Sequence, residues 1–223
     1  MIKHAEEVGR TAMFELHPEY EKQFATLMRF LLATPELRSA ARGKFTIGGE
    51  EHIYRLAVTY VQARTPNTPK PPSTVPDPLV SFILNVYFSV DEGRLEDAKR
   101  EHQWAMAAEN MVGDLLERYI ASILEPEGWV WCAGSVVKAV DFVKPLERGD
   151  WVALQVKNRD NSENSSSSAI RNGTKIEKWF RTFSQTGKTN WGAFPDAEFR
   201  DQLSEQSFHD FVKAYLADLK QQK

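Results

Sequence analysis

The chain has 223 residues, 42% of them apolar, and a formal net charge of −3. That length holds one large domain, or a catalytic domain with a helical addition, around a core of real size. The charge excludes an overall positive field, so a nucleic-acid partner would have to meet basic residues clustered on one surface.

The one cysteine, Cys132, rules out an intrachain disulfide and fits a reducing cytoplasm. It lies between Trp131 and Ala133 in an apolar run and reads as a buried small residue. No apolar stretch approaches the ~20 residues of a membrane helix, and the N-terminus lacks the long apolar core of a signal peptide. A soluble, cytoplasmic protein is expected.

The first part of the chain reads as helical. Tyr20 to Leu32 carries Phe24, Leu27, Met28 and Leu31 at helical spacing, and Thr34-Pro35 breaks the run. Gly48-Gly49 precedes a second helical stretch over roughly Glu50 to Arg64. Thr65 to Pro78 holds six of the eleven prolines and reads as an extended connector or an arm laid across a surface. Leu79 to Val90 is mostly apolar and predicts a buried helix. After Gly93 a long helix follows, from about Leu95 to Leu124. Met106, Met111, Leu115, Leu116, Tyr119, Ile120 and Ile123 form much of its apolar face, and Glu125-Pro126-Glu127-Gly128 ends it.

The texture then changes. Trp129 to Cys132, Ser135 to Val143 and Trp151 to Val156 are rich in Val and Trp and predict strands, with Glu147-Arg148-Gly149-Asp150 as a turn. A polar Ser/Asn-rich stretch runs from Lys157 to Gly173, Lys175 to Phe183 looks helical, and Phe208 to Leu219 is a final amphipathic helix. The predicted fold is α/β: a mixed central sheet of about four or five strands flanked by helices, with an N-terminal helical region packed on it. The organisation expected is an N-terminal helical region over 1–95, with its Pro-rich connector at about 65–78. A second region over 96–223 completes one compact domain.

The chemistry concentrates in two of these strands. Asp141 stands near the end of an otherwise apolar strand, where a carboxylate is costly without a partner. In Trp151 to Lys157, Gln155 and Lys157 are two apart, so alternation places both on one face. If the strands pair as a hairpin, Asp141 sits beside Gln155. The Asp carboxylate and the Gln carbonyl are hard oxygen ligands suited to Mg2+, and Lys157 can orient or deprotonate a water or stabilise charge building on a phosphate. The same spacing also occurs on ordinary solvated sheet faces. The preceding helix shifts the balance: Gly113-Asp114-Leu115-Leu116-Glu117 is followed, eleven residues after Glu117, by Gly128-Trp129. A helix carrying GxxxE, a Gly-led strand and then D…QxK resembles the PD-(D/E)XK nuclease core, in which the helical Glu often helps hold the metal. That makes Glu117 the first candidate and Glu109, two turns earlier on the same face, the reserve. The second acidic position of the pattern is Gln155 here, a weaker, neutral ligand; Glu163 or Glu177 could supply a migrated carboxylate.

The stretch Gln155-Val156-Lys157-Asn158-Arg159-Asp160-Asn161-Ser162-Glu163-Asn164 continues through Ser165 to Ser168 to Ala169-Ile170-Arg171-Asn172-Gly173-Thr174. It resembles the SinI/AvaII family of type II restriction endonucleases. So do Lys178-Trp179-Phe180-Arg181, Thr186-Gly187, Thr189-Asn190-Trp191 and Ala108-Glu109-Asn110. The likeness runs from about Pro76 to Pro195. It implies a Mg2+-dependent homodimer that cuts both strands of double-stranded DNA at a short palindromic site, GG(A/T)CC, with a companion DNA methyltransferase in the same system but not in a stable complex. A G·C-rich site favours Arg donors to guanine, so Arg159 and Arg171 are the candidates for base contact, with Asn161 and Asn164 suited to adenine. Ser165 and Ser166 suit phosphates. Lys175, Lys178 and Arg181 fall at helical i, i+3, i+6 spacing and could track the DNA backbone, or form an ordinary basic helix face. Trp129, Trp131, Trp151, Trp179 and Trp191 read as core rather than stacking platforms, and the five histidines show no metal-ligand spacing. Two other readings stay open: a repair or modification-dependent nuclease on the same core, and a DNA-binding module with a decayed site. The self-contained size argues against the first, and retention of Asp141 and Lys157 against the second.

Overall fold

A computed structural model describes residues 1–39, 46–161 and 174–221. The chain divides into two units, one made of Met1–Pro66 and Leu116–Lys223, the other of Asn67–Leu115.

In the larger unit, α1 (Ala5–Leu16), α2 (Glu21–Ala33) and α3 (Glu50–Arg64) form an N-terminal layer. Gly9 lets α1 cross α2 closely, since a Cβ there would lie 2.8 Å from Met28 Cγ. The inner face of α2 buries Phe24, Leu27, Met28, Phe30 and Leu31, the periodicity legible in the sequence. α2 packs on the sheet, where the Phe30 ring lies 5.1 Å from that of Trp151 and the Arg29 guanidinium sits 5.5 Å over the same indole. The expected packing of N-terminal helices on the sheet is therefore present.

The sheet runs β1 (Val130–Trp131), β2 (Phe142–Pro145), β3 (Trp151–Arg159), β4 (Ile176–Thr182) in that order. β1–β2 and β2–β3 are antiparallel and β3–β4 is parallel. The mixed sheet flanked by helices is the α/β class expected. Arg148 (φ 62) and Gly149 (φ 83) reverse the chain between β2 and β3, where the turn was predicted.

Two elements of the larger unit depart from expectation. The strand predicted from Ser135 starts only at Phe142, because Ala139 (φ 56) takes left-handed backbone and interrupts it, as Gly134 (φ 73) does just ahead of it. A side chain at Gly134 would also press on α3, 3.1 Å from Thr59 Cγ2 and 3.2 Å from Ala63 Cβ. The second departure is β4: Lys175 to Phe183, expected as a helix, holds a strand beside β3. Its buried residues Ile176, Trp179 and Thr182 recur every third position, which imitates a helical stripe. In the strand they fall on both faces, both of which are covered.

α5 (Leu95–Leu124) occupies the predicted range, and Gly128 (φ 86) follows its terminal turn. In the larger unit its last turns bury Leu116, Tyr119, Ile120 and Leu124. Tyr119 meets Trp191, Phe208 and Phe211 at ring distances of 5.8, 5.4 and 5.7 Å, which ties α5 to α6 (Glu205–Gln221). Trp129, Trp131, Trp179 and Trp191 are all buried, as expected of core residues. Arg64 is enclosed by aromatic faces, 4.8 Å from Tyr20, 4.5 Å from Tyr60 and 5.1 Å from Trp131. Both oxygens of Glu125 pair with it, at 2.5 and 3.0 Å.

In the smaller unit, α4 (Pro78–Val86) is helical as expected but buries none of its residues. That overturns the expectation of a buried helix.

Candidate active site

The site forms where β2 leaves the turn segment and meets the centre of β3. The Asp141 backbone stitches this junction: its N–H donates to Leu154 O (2.9 Å), and its carbonyl accepts from Cys132 N–H (2.8 Å). Its carboxylate reaches further along β3, where Oδ2 accepts from Val156 N–H at 2.7 Å. Burial pushes the Asp141 carboxyl above its ordinary range, opposed by the charge of Lys157 and then by the Val156 N–H. The carboxylate is thus partly desolvated, fixed at one oxygen, and close enough to Lys157 to feel its charge.

Gln155 is 1% exposed. Alternation along β3 sets it on the same face as Lys157, which is half-buried. The pairing of Phe142 with Leu154 brings the start of β2 beside this part of β3. The parallel register adds a residue: Gln155 pairs with Lys178 and Lys157 with Phe180, and paired residues share a sheet face. Lys178 therefore stands next to Gln155, a neighbour that spacing alone did not reveal.

Glu117 comes from α5. Its Oε2 accepts from the Trp131 indole Nε1 at 2.9 Å, which aims it at β1. Burial first, then the nearby charges of Asp141 and Glu117, push up the Cys132 thiol, which puts both carboxylates near the residues just after β1. Trp131, read as core alone, also holds this glutamate. Glu109 is exposed in the smaller unit. Glu177 pairs with Leu154, on the sheet face opposite Gln155 and Lys157, which removes it as a migrated ligand; Glu163 lies outside the described residues.

The donor set fits Mg2+. Among the described residues no three His, Cys, Asp or Glu side chains converge on one point. Mg2+ does not need that, since it binds through one or two carboxylates and completes its shell with waters and substrate phosphate. A desolvated carboxylate beside a buried amide oxygen is a hard-oxygen pair of that kind.

Of the other candidates, Arg159 is exposed at the end of β3 and Asn161 is exposed in the turn after it. Asn164, Ser165, Ser166 and Arg171 lie outside the described residues. The proposed row Lys175, Lys178, Arg181 does not exist, because on a strand Lys178 faces one side and the other two face the opposite side. Lys175 is exposed. Arg181 is committed to structure: Nε donates to Asn158 Oδ1 (3.0 Å), Nη1 pairs with Glu205 Oε1 (2.5 Å), and the guanidinium stacks on Phe208 (5.2 Å). It clasps β3 and α6 around β4.

The α/β sheet carries Gln155 and Lys157 on β3, has Asp141 just ahead of β2 and turns a helical Glu117 toward β1, an arrangement consistent with a restriction-endonuclease-like fold. Residues 5–218 match the model of the SinI restriction endonuclease family. The chain is 50% identical over 222 residues to the type II restriction enzyme Eco47I of Escherichia coli, covering 98% of this chain and 96% of that enzyme. It is 48% identical over 223 residues to the type II restriction enzyme SinI of Salmonella infantis, covering 98% and 97%. The chain belongs to the SinI restriction endonuclease family, and is a type II restriction endonuclease.

Proposed function

We propose that this enzyme hydrolyses double-stranded DNA with Mg2+ at GG(A/T)CC, as a homodimer, through a PD-(D/E)XK site made of Asp141, Gln155, Lys157 and Glu117. The observation that carries the reading is Asp141: a carboxylate pushed up by burial, pulled back by Lys157, and pinned by the Val156 N–H next to Gln155. Asp141 and Gln155 would hold the metal, with Glu117 as a further ligand from α5. Bound there, it would supply polarisation of the scissile phosphate and a water of lowered pKa. Lys157 orients the attacking water and offsets negative charge gathering on the phosphate. The Val156 N–H keeps the Asp141 carboxylate from rotating, and the Trp131 indole does the same for Glu117. Lys178, beside Gln155, contacts the phosphate backbone next to the cut, and Lys175 contacts it further along. Arg159 and Arg171 donate to guanine, Asn161 and Asn164 read the central A·T pair, and Ser165 and Ser166 hold phosphates.

The test is incubation with unmethylated plasmid DNA and Mg2+, followed by sequencing of the ends. Fragments ending at GG(A/T)CC support activity and specificity together. Discrete fragments at another sequence retain the nuclease and reject the site. Absence of cleavage with DNA binding intact, unrescued by Mn2+, rejects Asp141, Gln155 and Lys157 as a metal site.

A further inference from the structure

The helix α4, Pro-Leu-Val-Ser-Phe-Ile-Leu-Asn-Val, carries no charged residue and buries none of its side chains. Leu79, Val80, Phe82, Ile83 and Val86 are 64%, 43%, 63%, 52% and 63% exposed, and Tyr87 and Phe88 just beyond are 79% and 63% exposed. A helix apolar around most of its circumference is a stable arrangement only when covered. At about 200 Å2 per large side chain, the exposed fractions from Leu79 to Phe88 leave roughly 850 Å2 of apolar surface. That exceeds the patches ordinary on a monomer, about 300–600 Å2, and equals one side of a standard protein interface, about 800 Å2.

We propose that α4 with Tyr87 and Phe88 is the face through which two copies of this chain associate. The inference rests on the homodimeric reading given above and assigns its surface. Three observations favour a second copy. The stretch from Pro78 to Val90 has no charged residue, while Asp77 and Asp91 flank it, so a DNA backbone would meet carboxylates and no cation. An uncharged apolar face is self-complementary, as an isologous twofold contact requires. The face is also locally preformed: Asp77 caps α4 by accepting from Leu79 N–H at 2.9 Å, and Asp91 caps the next turn by accepting from Gly93 N–H at 2.8 Å. Little ordering cost then opposes association.

Sedimentation velocity of the full chain tests this, with Phe82→Glu and Phe88→Glu against Phe14→Glu, an equally exposed phenylalanine (68%) on α1. The expected result is a dimeric wild type and Phe14→Glu protein. The two α4 variants should dimerise at least tenfold more weakly, with unchanged helical circular dichroism. Because native Cys132 is buried, Phe82→Cys offers a single accessible thiol. A short bismaleimide should link two copies of it, and should not link copies of Phe14→Cys. Folded α4 variants that dimerise like the wild type, or a dimeric Phe82→Cys protein that does not cross-link, overturn the assigned surface and leave the dimer standing. A wild type that stays monomeric, alone and on a GG(A/T)CC duplex, removes the dimer and this inference together.

Discussion

On the proposed mechanism, Asp141 holds function and stability in opposition. Its desolvated carboxylate is what a hard cation needs, yet without the cation it weakens the fold. Asp141→Asn keeps an oxygen for the Val156 N–H and removes the charge. It should abolish cleavage while raising the metal-free melting temperature by about 2–4 °C, the size of a 1 kcal/mol gain in a chain of this length. Calorimetry in chelator, beside a cleavage assay, checks both halves; a lowered melting temperature would mean that the carboxylate stabilises the apo fold. Lys157→Ala should cost about 10²–10⁴ in cleavage rate with duplex binding nearly retained, since a group acting on the reacting atoms contributes about that much. Single-turnover cleavage and gel-shift titration separate the two.

At the scale of elements, the N-terminal layer is joined to β1 by a buried cation. The side chains of Arg64 and Glu125 are 7% and 19% exposed, and Glu125 Oε1 also accepts from Trp131 N–H at 3.2 Å. Glu125→Gln leaves the Arg64 charge among three aromatic rings without its counter-ion. The expected loss is about 3–5 kcal/mol, the usual cost of breaking a buried pair from one side. Urea denaturation measures it, and a loss below 1 kcal/mol would mean that the rings and water suffice.

The start of α3 is sensitive to acid. His52 is 3% exposed, and its Nδ1 accepts from Gly48 N–H at 2.8 Å, so the neutral ring is the bonded form. Burial, then the N-terminal ammonium, pushes its pKa below the ordinary 6.5. The unfolded chain therefore takes up this proton first. The contribution is fully present above 6.5 and is lost as pH falls through the lower folded value. Between pH 7.5 and 5 the wild type should lose more stability than His52→Gln. Equal losses would assign the acid sensitivity elsewhere.

For the whole molecule, a net charge of −3 means that, on the proposed function, DNA affinity rests on a local cation cluster. Lys157, Arg159 and Lys178, which share one sheet face, are its proposed described members, about six in the proposed homodimer. If each neutralises one phosphate, log K should fall with log salt at a slope near −5, about 0.9 per phosphate. Filter binding in Ca2+ across a salt series reads the slope, and one near −2 would mean that most of these cations do not touch DNA.

The sequence by itself determined what local periodicity and stop signals encode: the ranges of α3 and α5, the apolar face of α2, the turn at Arg148-Gly149 and the α/β order. It also pointed to Asp141, Gln155 and Lys157, because alternation fixes which residues share a strand face whatever that strand packs against. Only the tertiary structure decided β4, since Ile176, Trp179 and Thr182 satisfy a helical stripe and a strand covered on both faces equally well. With β4 came the neighbour of Gln155, Lys178, and the structural commitment of Arg181, because parallel register is set by strand pairing and leaves no mark in spacing. Likewise the Trp131 hold on Glu117 and the exposure of α4 depend on what lies across space. Hydrophobicity tells that α4 must be covered, but not by what.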